Sequence, residues 1–317
     1  MSMKHISILL EPFKWTSLNA VDIDDFLSMD IPPRENLLSP WLPQQGLTMI
    51  YAPRGIGKTY VALNIAFAVA SGSHFFKWHA EKPQGVLYLD GEMPATLMQE
   101  RIKAITQSRE LNLKTPFRLL TPDMQQGPMP DLSVAEDQHQ LTPFLDGIQL
   151  IIVDNISTLC RRNKENDADA WIPVQEWALR MRASGRSVLF IHHASKGGNQ
   201  RGTSKREDVL DTVIALQKSE DYDPRDGASF EIHFKKARGF CGEAAEPFKA
   251  QLAVDDNGLM HWKTTAVTAT TFDEVFELAQ QGHKQQEIAE KLNIHKSNVS
   301  RHLARAKQEG KLRSCVA

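Results

Sequence analysis

Met49-Ile50-Tyr51-Ala52-Pro53-Arg54-Gly55-Ile56-Gly57-Lys58-Thr59 sets an apolar run against a glycine-rich turn that ends in Gly-Lys-Thr. A small residue, four variable positions and then Gly-Lys-Thr is the spacing of a phosphate-cradling loop. Gly55 and Gly57 let the backbone bend so that successive N–H groups point into one concavity, which here runs from Arg54 through Ile56 to Tyr60. Lys58 brings a point charge to the terminal phosphates, and Thr59 offers a hydroxyl to Mg²⁺. The helix expected from residue 58 adds the positive end of its dipole. The stretch therefore predicts a strand-loop-helix unit that binds ATP and Mg²⁺.

Outward from this loop, strand-like runs alternate with helix-length segments. Strands are expected at Leu47 to Ala52, Val86 to Asp90, Arg118 to Thr121, Leu150 to Asp154 and Ser187 to His192, and helices over 58–72, 94–110, 136–146 and 169–184. That alternation predicts an α/β fold with a mostly parallel sheet and helices on both faces. After residue 212 strands follow one another without long helices (Thr212 to Gln217, Ser229 to Lys236, Phe248 to Val254, Leu259 to Trp262), which extends the sheet with antiparallel strands. The expected organisation is an N-terminal arm over 1–36, an ATPase domain over 37–262, a Thr- and Ala-rich linker over 263–271 and a small all-α domain over 272–317.

The bulk composition narrows the class. The 317 residues are 41% hydrophobic and 24% charged with a net charge of −2, which describes an ordinary globular protein with no global pull toward nucleic acid or membrane. Cys160, Cys241 and Cys315 are scattered without a pairing or metal spacing, which fits a reducing cytoplasm. The apolar runs near Ile6 and from Tyr60 to Ala70 are too short for a signal peptide or a membrane span.

Two more strands end in acids. Leu150-Ile151-Ile152-Val153-Asp154 places a carboxylate where it can hold the magnesium of a bound nucleotide, and Val86 to Met93 places Asp90 and Glu92 at the ligand-binding edge of the sheet. Glu92 is the candidate base that deprotonates the attacking water, with Asp90 as its rival. The strand from Ser187 runs into His192-His193, and because adjacent strand residues face opposite ways only one of the two reaches the nucleotide.

The order of phosphate loop, Glu92 strand, Asp154 strand and Phe190-Ile191-His192-His193-Ala194-Ser195-Lys196-Gly197 resembles the RecA/DnaB superfamily over residues 32 to 262, most closely the RepA-type hexameric helicases of mobilisable plasmids. The resemblance implies Lys58 and Thr59 at phosphate and Mg²⁺, Glu92 as catalytic glutamate, Asp154 at Mg²⁺ and His193 as γ-phosphate sensor. It further implies a homo-oligomeric ring, a hexamer in those helicases, with ATP between subunits and basic fingers supplied by the neighbour. Lys236-Ala237-Arg238 resembles their Lys-x-Arg finger pair, and Arg201 matches another arginine of RepA-like chains.

DNA is the expected partner. Arg161-Arg162-Asn163-Lys164 and the run from Lys196 through Arg201 to Lys205-Arg206 follow two of the strands, where loops of a RecA-like ring face the central channel and track a single strand. The tail carries a second signal. Thr271-Phe272-Asp273-Glu274 opens a helix that Gly282 ends, Gln285 to Leu292 forms a second, and about Lys296 to Gln308 a third. Ile288, Ala289, Leu292, Ile294, Val299 and Leu303 build one small core, the helix-turn-helix pattern. Lys296, Asn298, Ser300, Arg301 and Arg305 are left to face duplex DNA. From His283 onward eight Lys/Arg meet three acids. The expected function is a DNA-acting motor, a replicative helicase or loader; an ATP-switched DNA-binding regulator and an ATPase subunit serving a defence or recombination partner are the alternatives.

Overall fold

The computed structural model describes residues 20–108, 113–161, 168–194, 204–219, 222, 227–267, 271–292 and 294–308. The chain divides into two units between Arg34 and Glu35. In the first, α1 (Ile23–Ser28) is a short helix with no buried residue. Its Ile23, Phe26 and Leu27 are exposed.

The second unit opens with the paired β1 (Asn36–Leu38) and β2 (Leu42–Pro43), followed by β3 (Leu47–Ala52) and α2 (Lys58–Ser71). A small hairpin, β4 (His74–Phe75) and β5 (Trp78–His79), leads to β6 (Val86–Asp90), α3 (Ala95–Gln107) and β7 (Phe117–Leu120). Then come α4 (Ala135–His139), β8 (Leu150–Asp154), α5 (Ile156–Leu159), α6 (Ala168–Ala183) and β9 (Ser187–His193). After a 3₁₀ turn at Ser204–Glu207 the chain adds β10 (Thr212–Gln217), β11 (Ser229–Ala237), β12 (Phe248–Val254) and β13 (Met260–Ala266).

These strands build a nine-stranded sheet in the order β13-β12-β11-β10-β3-β9-β8-β6-β7. From β10 to β7 every pairing is parallel, and β11, β12 and β13 are added antiparallel. The mostly parallel sheet with an antiparallel extension is the architecture the sequence predicts. Its central strands are apolar on both faces because both faces are covered. Ile50, Tyr88, Ile152 and Ile191 join the core that packs on α2, whereas Met49, Leu87, Val153 and Phe190 pack with Trp171, Val174 and Trp177 of α6. By that alternation Asp154 and His193 fall on the α2 side, and His192 falls on the α6 side.

Some boundaries differ from expectation. The helix expected over 136–146 breaks after His139 and resumes as a 3₁₀ turn at Thr142–Phe144, because Pro143 supplies no N–H to continue an α-helical ladder. The strand β13 continues through Lys263 to Ala266, into the stretch read as linker. Its Thr-rich composition suits an edge strand, and it pairs with β12 from Phe248↔Ala266 to Val254↔Met260.

The tail forms α7 (Thr271–Gln280), α8 (Gln285–Leu292) and α9 (Lys296–Gln308). Gly282 closes α7 with φ +87°, and His283 N donates back to Leu278 O at 3.0 Å, a left-handed helix end. Val275, Ile288, Ala289 and Val299 are buried in the tail's own core, with Leu278, Leu292, Ile294 and Leu303 packed around them. Among the described residues no helix is long and apolar enough to cross a membrane.

Candidate functional site

A cleft of about 500 Å³ opens at the C-terminal edge of the parallel strands, lined by the loop before α2 and by the ends of β6, β8 and β9. Gly55 (φ +75°) and Gly57 (φ +110°) adopt backbone conformations that a side chain strains, and a Cβ at Gly57 would sit 3.1 Å from the Cβ of Ala228. The concavity thus depends on glycine at these positions. Lys58 is buried in it, and its Nζ donates to the carbonyls of Ala52 (3.2 Å) and Pro53 (2.8 Å). Burial pushes its ammonium down to about 8, against the opposing charges of Asp154 and Glu92. A cation in that position is a ready partner for an anion. Arg54, Thr59 and Tyr60 line the same cleft, while the side chain of Ile56 is buried in the core, so only its backbone serves the cradle.

Asp154 ends β8 beneath Lys58. Its Oδ2 accepts from Tyr88 Oη at 2.7 Å, and the Thr59 hydroxyl also donates to it. Burial raises its pKa against those hydrogen bonds and the Lys58 charge. Burial and the Asp154 charge also hold Tyr88 well above the ordinary phenol range, so Tyr88 acts as a donor. A hydroxyl and a carboxylate side by side are hard oxygen ligands of the kind that hold Mg²⁺ together with nucleotide phosphates. Among the described residues no three His, Cys, Asp or Glu side chains converge into a metal cage. The donor set therefore fits a magnesium shared with phosphate.

The two rival carboxylates at the end of β6 are engaged differently. Asp90 is buried, accepts from the backbone N–H of Glu92 (3.3 Å) and of Met93 (3.2 Å), and takes the Thr121 hydroxyl at 3.0 Å. It shapes the turn. Burial raises its carboxyl to about 6 against these hydrogen bonds. Gly91 lets that turn press against α5, since a Cβ there would meet Thr158 Oγ1 at 2.3 Å. Glu92 instead projects into the cleft, where its Oε2 accepts from Asn155 Nδ2 at 2.7 Å and lies 4.0 Å from His193 Nε2. Of the histidine pair, His193 lines the cleft. His192 is wholly buried on the other face, where its Nε2 meets Arg206 Nη1 at 2.9 Å.

Lys236 and Arg238 lie elsewhere. Because β11 runs antiparallel to β10, Ala237 pairs with Thr212, which pairs with Thr48 near the start of β3. The pair therefore stands at the sheet edge opposite the cleft. Lys236 Nζ donates to the carbonyls of Glu207 and Asp208, and Arg238 Nη2 to Asp208 O at 3.4 Å. Arg201 falls outside the described residues, as do Arg162 and Lys196. Arg161 is employed locally: its guanidinium donates to Met129 O at 2.6 Å and Thr158 O at 3.2 Å. Arg206, read with the basic run before it as part of a loop facing a DNA channel, is instead buried.

In the tail, Lys296, Ser300 and Arg301 are exposed on α9 and Asn298 is half-buried, its Oδ1 accepting from Arg301 Nη2 at 2.9 Å. Arg305 is exposed but stands over the Phe272 ring at 4.8 Å, on the side of α7.

Sequence reasoning passed over Asn155, Tyr88 and Arg101. Tyr88 carried a signal, since it lies two residues before Asp90 and so shares the face of Asp154. Arg101 lines the cleft and stands 4.9 Å over the Tyr60 ring, a contact between α3 and α2 that no local pattern announces.

This geometry defines a P-loop ATPase with a RecA-like core. Residues 12–199 match the AAA domain family, more than half of the chain, and the chain belongs to that family. Residues 274–309 match the Sigma-70, region 4 family. A KaiC-like protein from the hyperthermophilic archaeon Pyrococcus horikoshii is similar in fold, with a TM-score of 0.50 at 14% identity over 73% of this chain and 96% of that one. The RadB recombinase aligns with a TM-score of 0.47 at 18% identity over 68% of this chain and 90% of its own.

Proposed function

We propose that the chain is a DNA-acting ATPase that assembles with copies of itself, so that ATP bound in one subunit's cleft is completed by Lys236 and Arg238 of the next. Within RecA-like ATPases, the reading is that of a RepA-type replicative helicase or its loader. The observation that supports it is the placement of the Lys236/Arg238 pair at the sheet edge away from the cleft of the same chain, out of reach of a nucleotide bound there. The helix-turn-helix tail supports DNA as the substrate of the motor.

Chemically, each residue has a separable task. The cradle from Arg54 to Tyr60 and the Lys58 ammonium bind and orient the phosphates. Thr59 and Asp154 would hold a magnesium ion alongside the phosphates, and the ion would supply positive charge that offsets theirs. Glu92, fixed by the Asn155 amide, accepts the proton of the water that attacks the γ-phosphorus as the bond to the β-phosphate oxygen breaks. His193, whose Nε2 lies 4.0 Å from Glu92 Oε2, serves in this reading as the γ-phosphate sensor. Arg238 stabilises charge spreading over the transferred phosphoryl oxygens, work that contributes little to ground-state binding.

A second reading is favoured by the match of residues 274–309 to Sigma-70, region 4: an ATP-switched regulator in which the tail selects a duplex site and the nucleotide sets assembly. A strand-displacement assay with the purified protein separates the two. Unwinding with ATP but not with a non-hydrolysable analogue supports the helicase, whereas duplex binding under both conditions without unwinding supports the regulator.

A further inference from the structure

Arg206 is 4% exposed and His192 is fully buried, deep on the α6 face of the sheet. A buried guanidinium is costly unless it is hydrogen-bonded and packed. Here Nη1 lies 2.9 Å from His192 Nε2 and the guanidinium stands 5.4 Å over the Trp171 ring. Arginine only donates, so Nε2 of His192 is the acceptor and the ring is neutral. Two chain continuities run outward from this contact. On one side, His192 precedes His193, the cleft histidine beside Glu92. On the other, Arg206 belongs to the 3₁₀ turn Ser204–Glu207, and the next two carbonyls, of Glu207 and Asp208, receive Lys236 Nζ and Arg238 Nη2.

We infer that Arg206 is a positioning residue: its contact with His192 ties the γ-phosphate end of one subunit's cleft to the aim of the Lys236/Arg238 pair that the same subunit presents to its neighbour. This inference rests on the reading that Arg238 acts in trans. Movement of His193 on binding or loss of the γ-phosphate shifts the adjacent His192 within a close-packed face that has no slack to absorb it. Arg206 follows, and the carbonyls that hold the finger pair follow with it. Successive sites are then coupled through protein that touches neither nucleotide.

The test is steady-state ATP hydrolysis by the full-length protein, with nucleotide affinity measured in parallel with a fluorescent ATP analogue. Arg206→Ala is expected to lower kcat about tenfold while leaving KM and analogue affinity within about twofold. The Arg206→Ala/Arg238→Ala protein is expected to be no slower than Arg238→Ala alone, because members of one unit are not additive. Wild-type kcat in Arg206→Ala, a multiplicative loss in the double variant, or a KM that rises with the fall in kcat overturns the inference. Wild-type turnover in Arg238→Ala removes the finger reading itself and this inference with it. Should thermal unfolding show that Arg206→Ala does not fold, the same measurement is made on His192→Gln, which keeps an acceptor, and His192→Phe, which does not. A kcat near wild type in the first and a tenfold loss in the second supports the contact; equal activities overturn it.

Discussion

Asn155 donates its side-chain amide to Glu92 Oε2 across 2.7 Å, from the position next to Asp154. One strand end thus supplies both the carboxylate proposed for magnesium and the group that fixes the proposed base on the neighbouring strand. The Asn155 Oδ1 is itself held by Ser157 N at 3.0 Å, which locks the amide in the orientation that donates.

Glu92→Gln keeps the shape of the side chain and removes its ability to take a proton. ATP should bind with near wild-type affinity, while single-turnover hydrolysis falls by about 10² to 10⁴, the usual contribution of a general base. Asn155→Ala leaves the base but frees it to rotate, with an expected loss of about tenfold in the same assay. Wild-type turnover in Glu92→Gln would remove the assignment.

Asp90 gives a pH-dependent expectation. Its folded carboxyl, at about 6, lies above the ordinary aspartate value of 3.8. The folded state therefore holds this proton more tightly than the unfolded chain, and stability from this group is lost as pH rises from about 4 to 6, then stays level. Relative to Asp90→Asn, which is uncharged throughout, the wild type should lose on the order of 2–3 kcal/mol across that window. Urea unfolding of both proteins between pH 4 and 7 reads the difference; a constant difference counts against burial as the cause.

Much of this was legible in the chain because it rests on local rules. The glycine loop, the acids at strand ends and the alternation that sends His192 and His193 to opposite faces each follow from a few adjacent residues. The tail core was legible for the same reason, since Ile288, Ala289, Leu292, Ile294, Val299 and Leu303 recur at helical spacing and all pack as that spacing implies. Asn155 and Glu92 were not paired in advance, because their contact depends on β6 lying directly beside β8, a strand order that no local pattern carries. Arg206 misled for a related reason: it ends a basic run, and only its tertiary partners show that it belongs to the interior. The pairing of β13 out to Ala266 likewise depends on the partner strand β12 rather than on the Thr-rich segment alone.

Of the exposed α9 residues proposed to face DNA, Arg305 also serves the tail's own packing. Arg301→Ala should weaken duplex binding by the full-length protein and lower the log–log salt slope by about 0.9 if it meets a phosphate. Arg305→Ala should in addition lower the unfolding temperature of the tail, because its guanidinium stands over Phe272, a contact that contributes roughly 0.5–1 kcal/mol at an exposed site. Fluorescence anisotropy with a labelled duplex at several salt concentrations checks the first, and unfolding by circular dichroism the second. An Arg301→Ala protein with unchanged affinity and slope would turn the tail reading toward protein docking.

The position of Arg238 makes a prediction about mixtures. A subunit carrying Lys58→Ala has a disabled cleft and an intact finger; one carrying Arg238→Ala has an intact cleft and no finger. Each homogeneous protein should be nearly inactive, the first through lost nucleotide binding and the second through a fall of about 10³ or more in turnover with binding retained. Mixed assemblies bring intact clefts against intact fingers, so hydrolysis should reappear and peak near equal proportions. In a subunit that used its own finger, mixing would only average two inactive proteins. Because Lys236 and Arg238 reach the carbonyls of Glu207 and Asp208 at the edge away from the cleft, the averaging outcome requires a large rearrangement of β11. Native mass spectrometry establishes that mixed assemblies form. Absence of recovered hydrolysis in assemblies shown to be mixed counts against action in trans and moves the finger assignment to Arg201.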